Sequence, residues 1–171
     1  ICTSENTKNI NRAVNSQLER KQVMNIIGGK KRGSKLALCA SKAVRPTAQR
    51  TREALFNILQ GGRFSFSLSK ATVIDLFAGT GAIGLEALSR GARSCFFVEQ
   101  DQDALQTLQA NISKLKLEDR AHILAKDARQ IHSWPGPRAD LVFADPPYSS
   151  SLAGEGLHPV SYTHLTLPTN A

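Results

Sequence analysis

Four short apolar runs between Thr72 and Asp145 alternate with helix-like stretches; the first has one acid inside it and each of the other three leads to an acid at its end. The runs are Thr72-Val73-Ile74-Asp75-Leu76-Phe77, Ser94 to Val98 before Glu99, Ala121 to Ala125 before Asp127, and Ala139 to Ala144 before Asp145. Continuous apolar strands of this length are buried on both faces. Between them lie a helix over Ile83 to Arg90, closed by Gly91, and a longer one from Asp101 to about Lys114. The second helix carries Ala104, Leu105, Leu108 and Ile112 on one face. A short helix is expected after Asp127, up to Trp134-Pro135-Gly136. Buried strands alternating with helices define an α/β fold with a parallel sheet and right-handed crossovers.

The chain ahead of this pattern is different in kind. The net charge is +8, from 22 basic and 14 acidic residues. Eight of the basic residues (Lys30, Lys31, Arg32, Lys35, Lys42, Arg45, Arg50 and Arg52) fall between Met24 and Arg52, where there is no acid. The remainder of the chain is balanced, so the whole excess sits in one block. Such a block marks a polyanion partner, most commonly a phosphate backbone. Ile26-Ile27, the Gly28-Gly29 break and Leu36-Ala37-Leu38 read as a small β-hairpin. Arg45-Pro46-Thr47 leads into a helix from Thr51 with Ala54, Leu55, Ile58 and Leu59 at helical spacing, stopped by Gly61-Gly62. The three cysteines are too widely spaced for a disulfide framework or a metal knuckle, and a reducing cytoplasm is expected. No apolar run is long enough for a membrane span, and the four histidines show no metal spacing. Trp134 reads as a packing residue.

The chemistry concentrates at the strand ends. Gly79-Thr80-Gly81-Ala82-Ile83-Gly84 fits G-x-G-x-x-G between a strand and a helix, and Glu99 follows Gly79 by 20 residues. This spacing suits a dinucleotide-binding Rossmann fold and does not exclude NAD. Asp75, however, lies inside the strand four residues before Gly79. A carboxylate there repels a pyrophosphate and attracts a cation. S-adenosylmethionine carries an ammonium and a sulfonium and no phosphate, so it is the favoured ligand.

Asp75-Leu76-Phe77-Ala78-Gly79-Thr80-Gly81 resembles the first motif of the class I S-adenosylmethionine-dependent methyltransferases. The resemblance implies that Asp75 reaches the methionine part of the cofactor. Phe77, Ala78, Gly79 and Gly81 would line it, Glu99 would accept from both ribose hydroxyls, and Asp127-Ala128 would sit by the adenine. Asp145-Pro146-Pro147-Tyr148 resembles the [D/N]-P-P-[Y/F] motif of enzymes that methylate exocyclic amines of nucleobases. An aryl amine is a poor nucleophile because its lone pair is delocalised into the ring. An acceptor side chain and a carbonyl can each take one N–H bond, and stiff prolines hold that carbonyl in place. An aromatic next to them can stack an extruded base.

Together with Arg45-Pro46-Thr47-Ala48-Gln49-Arg50-Thr51-Arg52-Glu53-Ala54-Leu55-Phe56-Asn57, these motifs resemble the bacterial 16S rRNA guanine-N2 methyltransferase family (RsmD type). The resemblance covers Met24 to about Tyr148. It implies methyl transfer to the N2 amine of one guanine in 16S rRNA, in the 30S subunit or an assembly intermediate, by a cytoplasmic monomer without a metal. Asp145, Pro146, Pro147 and Tyr148 would be catalytic, and Lys30, Lys31, Arg32, Arg45, Arg50 and Arg52 would contact RNA. Alternatives are another nucleobase-amine methyltransferase, such as one for adenine N6, a non-catalytic RNA-binding fragment, and, last, a dehydrogenase. Gln49 and Asn25 depart from an acid and a basic residue common in the family.

The expected organisation has four parts. Residues 1–23 read as a non-native or disordered leader, with Met24 the native start. Residues 24–62 form the RNA-contacting extension, 63–150 the methyltransferase domain, and 151–171 a non-native tail. The family's seven-stranded sheet, of order 3-2-1-4-5-7-6, would then be represented by its first four strands only. Its fourth strand would be an apolar edge, and poor stability with little activity is expected.

Overall fold

The structure is a computed structural model that describes residues 24–39, 49–61 and 66–146. Strands β1 (Met24–Asn25) and β2 (Lys35–Leu36) pair antiparallel, and α1 spans Gln49–Gln60. Then follow β3 (Thr72–Asp75), α2 (Ala82–Ser89), β4 (Ser94–Glu99), α3 (Gln102–Leu115), β5 (Ala121–Ala125) and β6 (Leu141–Phe143). The last four strands form one parallel sheet in the order β5-β4-β3-β6. From β3 the chain steps outward through β4 to β5, then crosses back to place β6 on the other side. The order reverses at β3, and open α/β sheets take their ligands at such a switch point, beyond the carboxyl ends of the strands.

Side-chain alternation along the strands divides the core. Val73, Cys95 and Phe97 face a large cluster with Leu85 and Leu88 of α2 and Leu108 and Ile112 of α3. Ile74 and Val98 face a smaller cluster with Leu76, Ala128 and Trp134. Helix α3 starts where Asp101 accepts from the Ala104 N–H at 2.8 Å. It ends where Lys116 takes a left-handed conformation.

Three local expectations shift. The hairpin pairs Met24 with Leu36 and Asn25 with Lys35, so its first strand precedes Ile26-Ile27 and its second takes in only Leu36 of Leu36-Ala37-Leu38. The helix after Asp127 reduces to one 3-10 turn, Ala128–Gln130, because the chain turns extended at Ile131. Trp134 follows it and is buried; its indole N–H donates to the Pro137 carbonyl at 2.8 Å and its ring meets Phe96 edge-on. The β6 strand covers three residues, fewer than the apolar run suggested.

The N-terminal extension is stitched to the sheet domain by buried polar side chains. Glu86 of α2, wholly buried, accepts from the N–H groups of Ile27 (2.7 Å) and Gly28 (2.8 Å) and pairs with Arg90 at 2.7 Å. Ser89, one turn on, accepts from the Lys31 N–H and donates to the Gly28 carbonyl. Gly29 lies against this helix at φ +75°, and a Cβ there would stand 1.9 Å from the Ser89 carbonyl oxygen. No larger residue fits. Helix α1 packs through Phe56, whose ring meets Phe143 of β6 edge-on at 5.8 Å and lies 4.8 Å under the Arg90 guanidinium.

Candidate functional site

The glycine turn fills the step from β3 to α2. Gly81 caps α2 at φ 82°, and a Cβ on it would meet Leu108 at 2.3 Å. Its N–H closes a turn onto the Ala78 carbonyl, and the Ala78 N–H donates to Val98 at the end of β4. Ala78 is buried and Phe77 is half-buried. Gly79 donates its N–H to Glu99 at 2.7 Å. Glu99 also accepts from the N–H groups of Gln100 (2.7 Å) and Asp101 (2.9 Å). The acid at the end of β4 therefore pins the turn at the end of β3.

Asp75 sits beneath this turn, 2 % exposed. It accepts from the Gly84 N–H at 3.1 Å and from the backbone of Phe77. Burial pushes its pKa up to about 7, and the negative charges of Glu99 and Asp145 push the same way. Asp75, at the carboxyl end of β3, thus feels the acids at the carboxyl ends of β4 and β6. Among the described residues no group of His, Cys, Asp and Glu is arranged to hold a metal ion. No helix among them is long and apolar enough to cross a membrane.

Asp127 caps the 3-10 turn after β5 by accepting from the Arg129 N–H. Its carboxylate is also gripped by the Arg129 side chain, with a shortest distance of 2.7 Å, and this holds its pKa below the usual range. Ala128 beside it is buried. Asp145 is exposed just beyond β6 and Pro146 is half-buried. Pro147, Tyr148 and Arg45 lie outside the described residues, as do the leader and the tail.

The basic block separates into two kinds of residue. Lys30, Arg32 and Arg50 are exposed, and Lys31 is half-buried. Arg52 is different, and the expectation that it faces a polyanion is corrected. It is wholly buried, and its guanidinium donates to the Asn25 carbonyl at 2.7 Å. Burial lowers its pKa, and the nearby Glu86 charge opposes that fall. A helical pattern identifies Arg52 as charged but not which partner it meets, and the partners lie in β1 and α2.

Glu86, Ser89 and Asn111 went unnoticed in the sequence, although a signal was there. Glu86 interrupts an otherwise apolar helix, and all eight residues of α2 are buried. Asn111 falls at the helical spacing of the apolar face made by Ala104, Leu108, Ile112 and Leu115. Polar residues on buried faces require partners.

A parallel sheet reversing at β3, with a glycine turn and acids at its strand ends, is a Rossmann-like methyltransferase fold. The chain belongs to the family described as Conserved hypothetical protein 95, whose model matches residues 24–165. It is 38% identical over 133 residues to the Ribosomal RNA small subunit methyltransferase D of Escherichia coli K12, covering 78% of this chain and 64% of that protein. It is 37% identical over 132 residues to YlbH of Bacillus subtilis, covering 73% and 67%. The solved structure of the Escherichia coli protein yhhF superposes with a TM-score of 0.64 at 37% identity, over 77% of this chain and 68% of that one. The chain thus spans about two thirds of the length of these relatives.

Proposed function

We propose that this chain carries the cofactor site and the amine-binding loop of an enzyme that methylates the N2 amine of a guanine in 16S rRNA. The donor would be S-adenosylmethionine, and the substrate the 30S subunit or an assembly intermediate. The observation that carries this reading is the buried Asp75 beneath the glycine turn, with the acids Glu99 and Asp145 near enough to act on it. A buried carboxylate whose pKa is raised to about 7 suits a ligand that brings positive charge. It opposes a pyrophosphate, which disfavours a dinucleotide. The name of the Escherichia coli relative and the basic extension support an rRNA substrate.

Bound there, S-adenosylmethionine supplies a methyl group on a cationic sulfur. Asp75 would face its ammonium, while the backbone of Phe77 to Gly81 would line the cofactor without side-chain bulk. Glu99 would take the ribose. A carboxylate has about four acceptor positions, and three N–H groups already occupy Glu99. Accepting two hydroxyls therefore requires one of those N–H groups to yield. Asp127 and Ala128 would border the adenine. Asp145 would accept one N–H of the guanine amine and the Pro146 carbonyl the other, with Tyr148 stacking on the base. Holding both reactants aligned is worth about 7–11 kcal/mol of barrier, so Asp145 needs no unusual basicity. Lys30, Arg32 and Arg50 would meet phosphates.

The decisive assay is methyl transfer from labelled S-adenosylmethionine to under-methylated 30S subunits, with the product resolved to the base. N2-methylguanine is expected. Methyladenine as the product would move the reading to an adenine enzyme, and RNA binding without transfer to a binding module. Calorimetry showing tighter binding of NAD than of S-adenosylhomocysteine would reverse the choice of cofactor.

A further inference from the structure

Asn111 is wholly buried on α3 and touches two parts of the molecule that the function uses differently. Its Oδ1 accepts from the Ala37 N–H at 2.7 Å, and its Nδ2 donates to the Ala37 carbonyl at 3.1 Å. The same Nδ2 donates to the Thr80 carbonyl at 3.0 Å. Ala37 follows β2, at the end of the basic hairpin. Thr80 stands between Gly79 and Gly81. One amide therefore reads the backbone of the hairpin on one side and of the glycine turn on the other. Its three bonds leave little room to move either one alone, since a buried amide that loses a partner costs the full desolvation of that group.

The other end of the hairpin is fixed to the same unit. Glu86 and Ser89 on α2, the helix that Gly81 caps, hold Ile27, Gly28 and Lys31. The hairpin thus rests on both helices that flank the glycine turn. A shift of the turn on ligand binding would be passed to the backbone that carries Lys30, Arg32 and Lys35.

We infer that Asn111 is a positioning residue that locks the basic hairpin to the glycine turn, so that RNA binding on the hairpin and cofactor binding at the turn strengthen one another. This rests on the reading of the turn as a cofactor site. Coupling of this kind is reciprocal and typically runs from about 5-fold to 150-fold in affinity.

The test uses the full chain, S-adenosylhomocysteine and a 16S rRNA transcript. Calorimetry would give the S-adenosylhomocysteine Kd with and without saturating transcript, for the wild type and for Asn111→Leu, which keeps the volume and removes the bonds. The transcript is expected to tighten binding about fivefold or more in the wild type, and to have no effect in the variant. An equal ratio in both proteins would overturn the inference. Should the variant fail to fold, amide exchange on the wild type decides alone. S-adenosylhomocysteine is expected to slow exchange at Ala37, whose N–H is held by Asn111, and unchanged exchange there would also overturn it. A wild type that binds the transcript but no S-adenosylhomocysteine would remove the cofactor reading, and the inference with it.

Discussion

Asp75 is where the fold and the proposed chemistry oppose each other. Its pKa rises from an unfolded value of 3.8 to about 7 in the folded protein, so the folded state binds the proton more tightly. Stability from this group is fully present below about pH 4 and is lost as pH rises toward 7 and beyond. At about 1.4 kcal/mol per unit, the loss amounts to about 4 kcal/mol as an upper figure. Asp75→Asn removes it. The variant is expected to melt higher than the wild type, with a gap that widens between pH 5 and pH 8 in parallel thermal scans; a gap independent of pH would contradict the account. The same substitution removes the charge proposed to meet the ligand's ammonium, so S-adenosylhomocysteine binding should fall at least tenfold. In the wild type, binding should strengthen as pH rises through 7. Gain of stability with loss of binding is the signature of a residue kept for a ligand.

The elements hold together through side chains whose partners are remote in sequence, and this decides what could be read in advance. The alternation of strand and helix was legible because it is written locally. The third strand of the sheet, Ala121–Ala125, has the bounds that its apolar run suggested, and the glycine turn lies where G-x-G-x-x-G placed it. The roles of Glu86, Arg52 and Asn111 were not legible, because each meets groups 27 to 74 residues away, and no periodicity reports such pairings. Exposure of Arg50 and burial of Arg52, two positions apart on α1, show the same limit. Replacing Glu86 tests the seam between α2 and the extension. Glu86→Ala leaves two backbone N–H groups and the Arg90 Nε–H without their acceptor and should cost about 3–5 kcal/mol in urea unfolding. Glu86→Gln, which keeps an acceptor but loses the charge, should cost less. Phe56→Ala empties a fully buried site between α1 and β6 and should cost about 3–5 kcal/mol. Losses under about 1 kcal/mol in either case, the size of an ordinary substitution, would mean that the extension contributes little to the folded unit.

For the whole molecule, the division of the basic block into exposed and buried members predicts two separate phenotypes. Exchanging Lys30, Arg32 or Arg50 for Gln should weaken RNA binding at all sequences and reduce the slope of log affinity against log salt by about 0.7–0.9 for each phosphate no longer neutralised. Arg52→Gln should lower the thermal midpoint and leave that slope in place. A reduced slope for Arg52→Gln in a fully folded protein would return it to the RNA-facing set. The seam has a further consequence, in time rather than in space. Ala37 precedes its anchor Asn111 by 74 residues. At a synthesis rate of about 5–20 residues per second, the cationic segment emerges from the tunnel roughly 4–15 s before the side chain that secures it does. During translation it is therefore an unanchored polycation beside the ribosome, and it reaches its docked geometry only after the second helix of the sheet domain has been made.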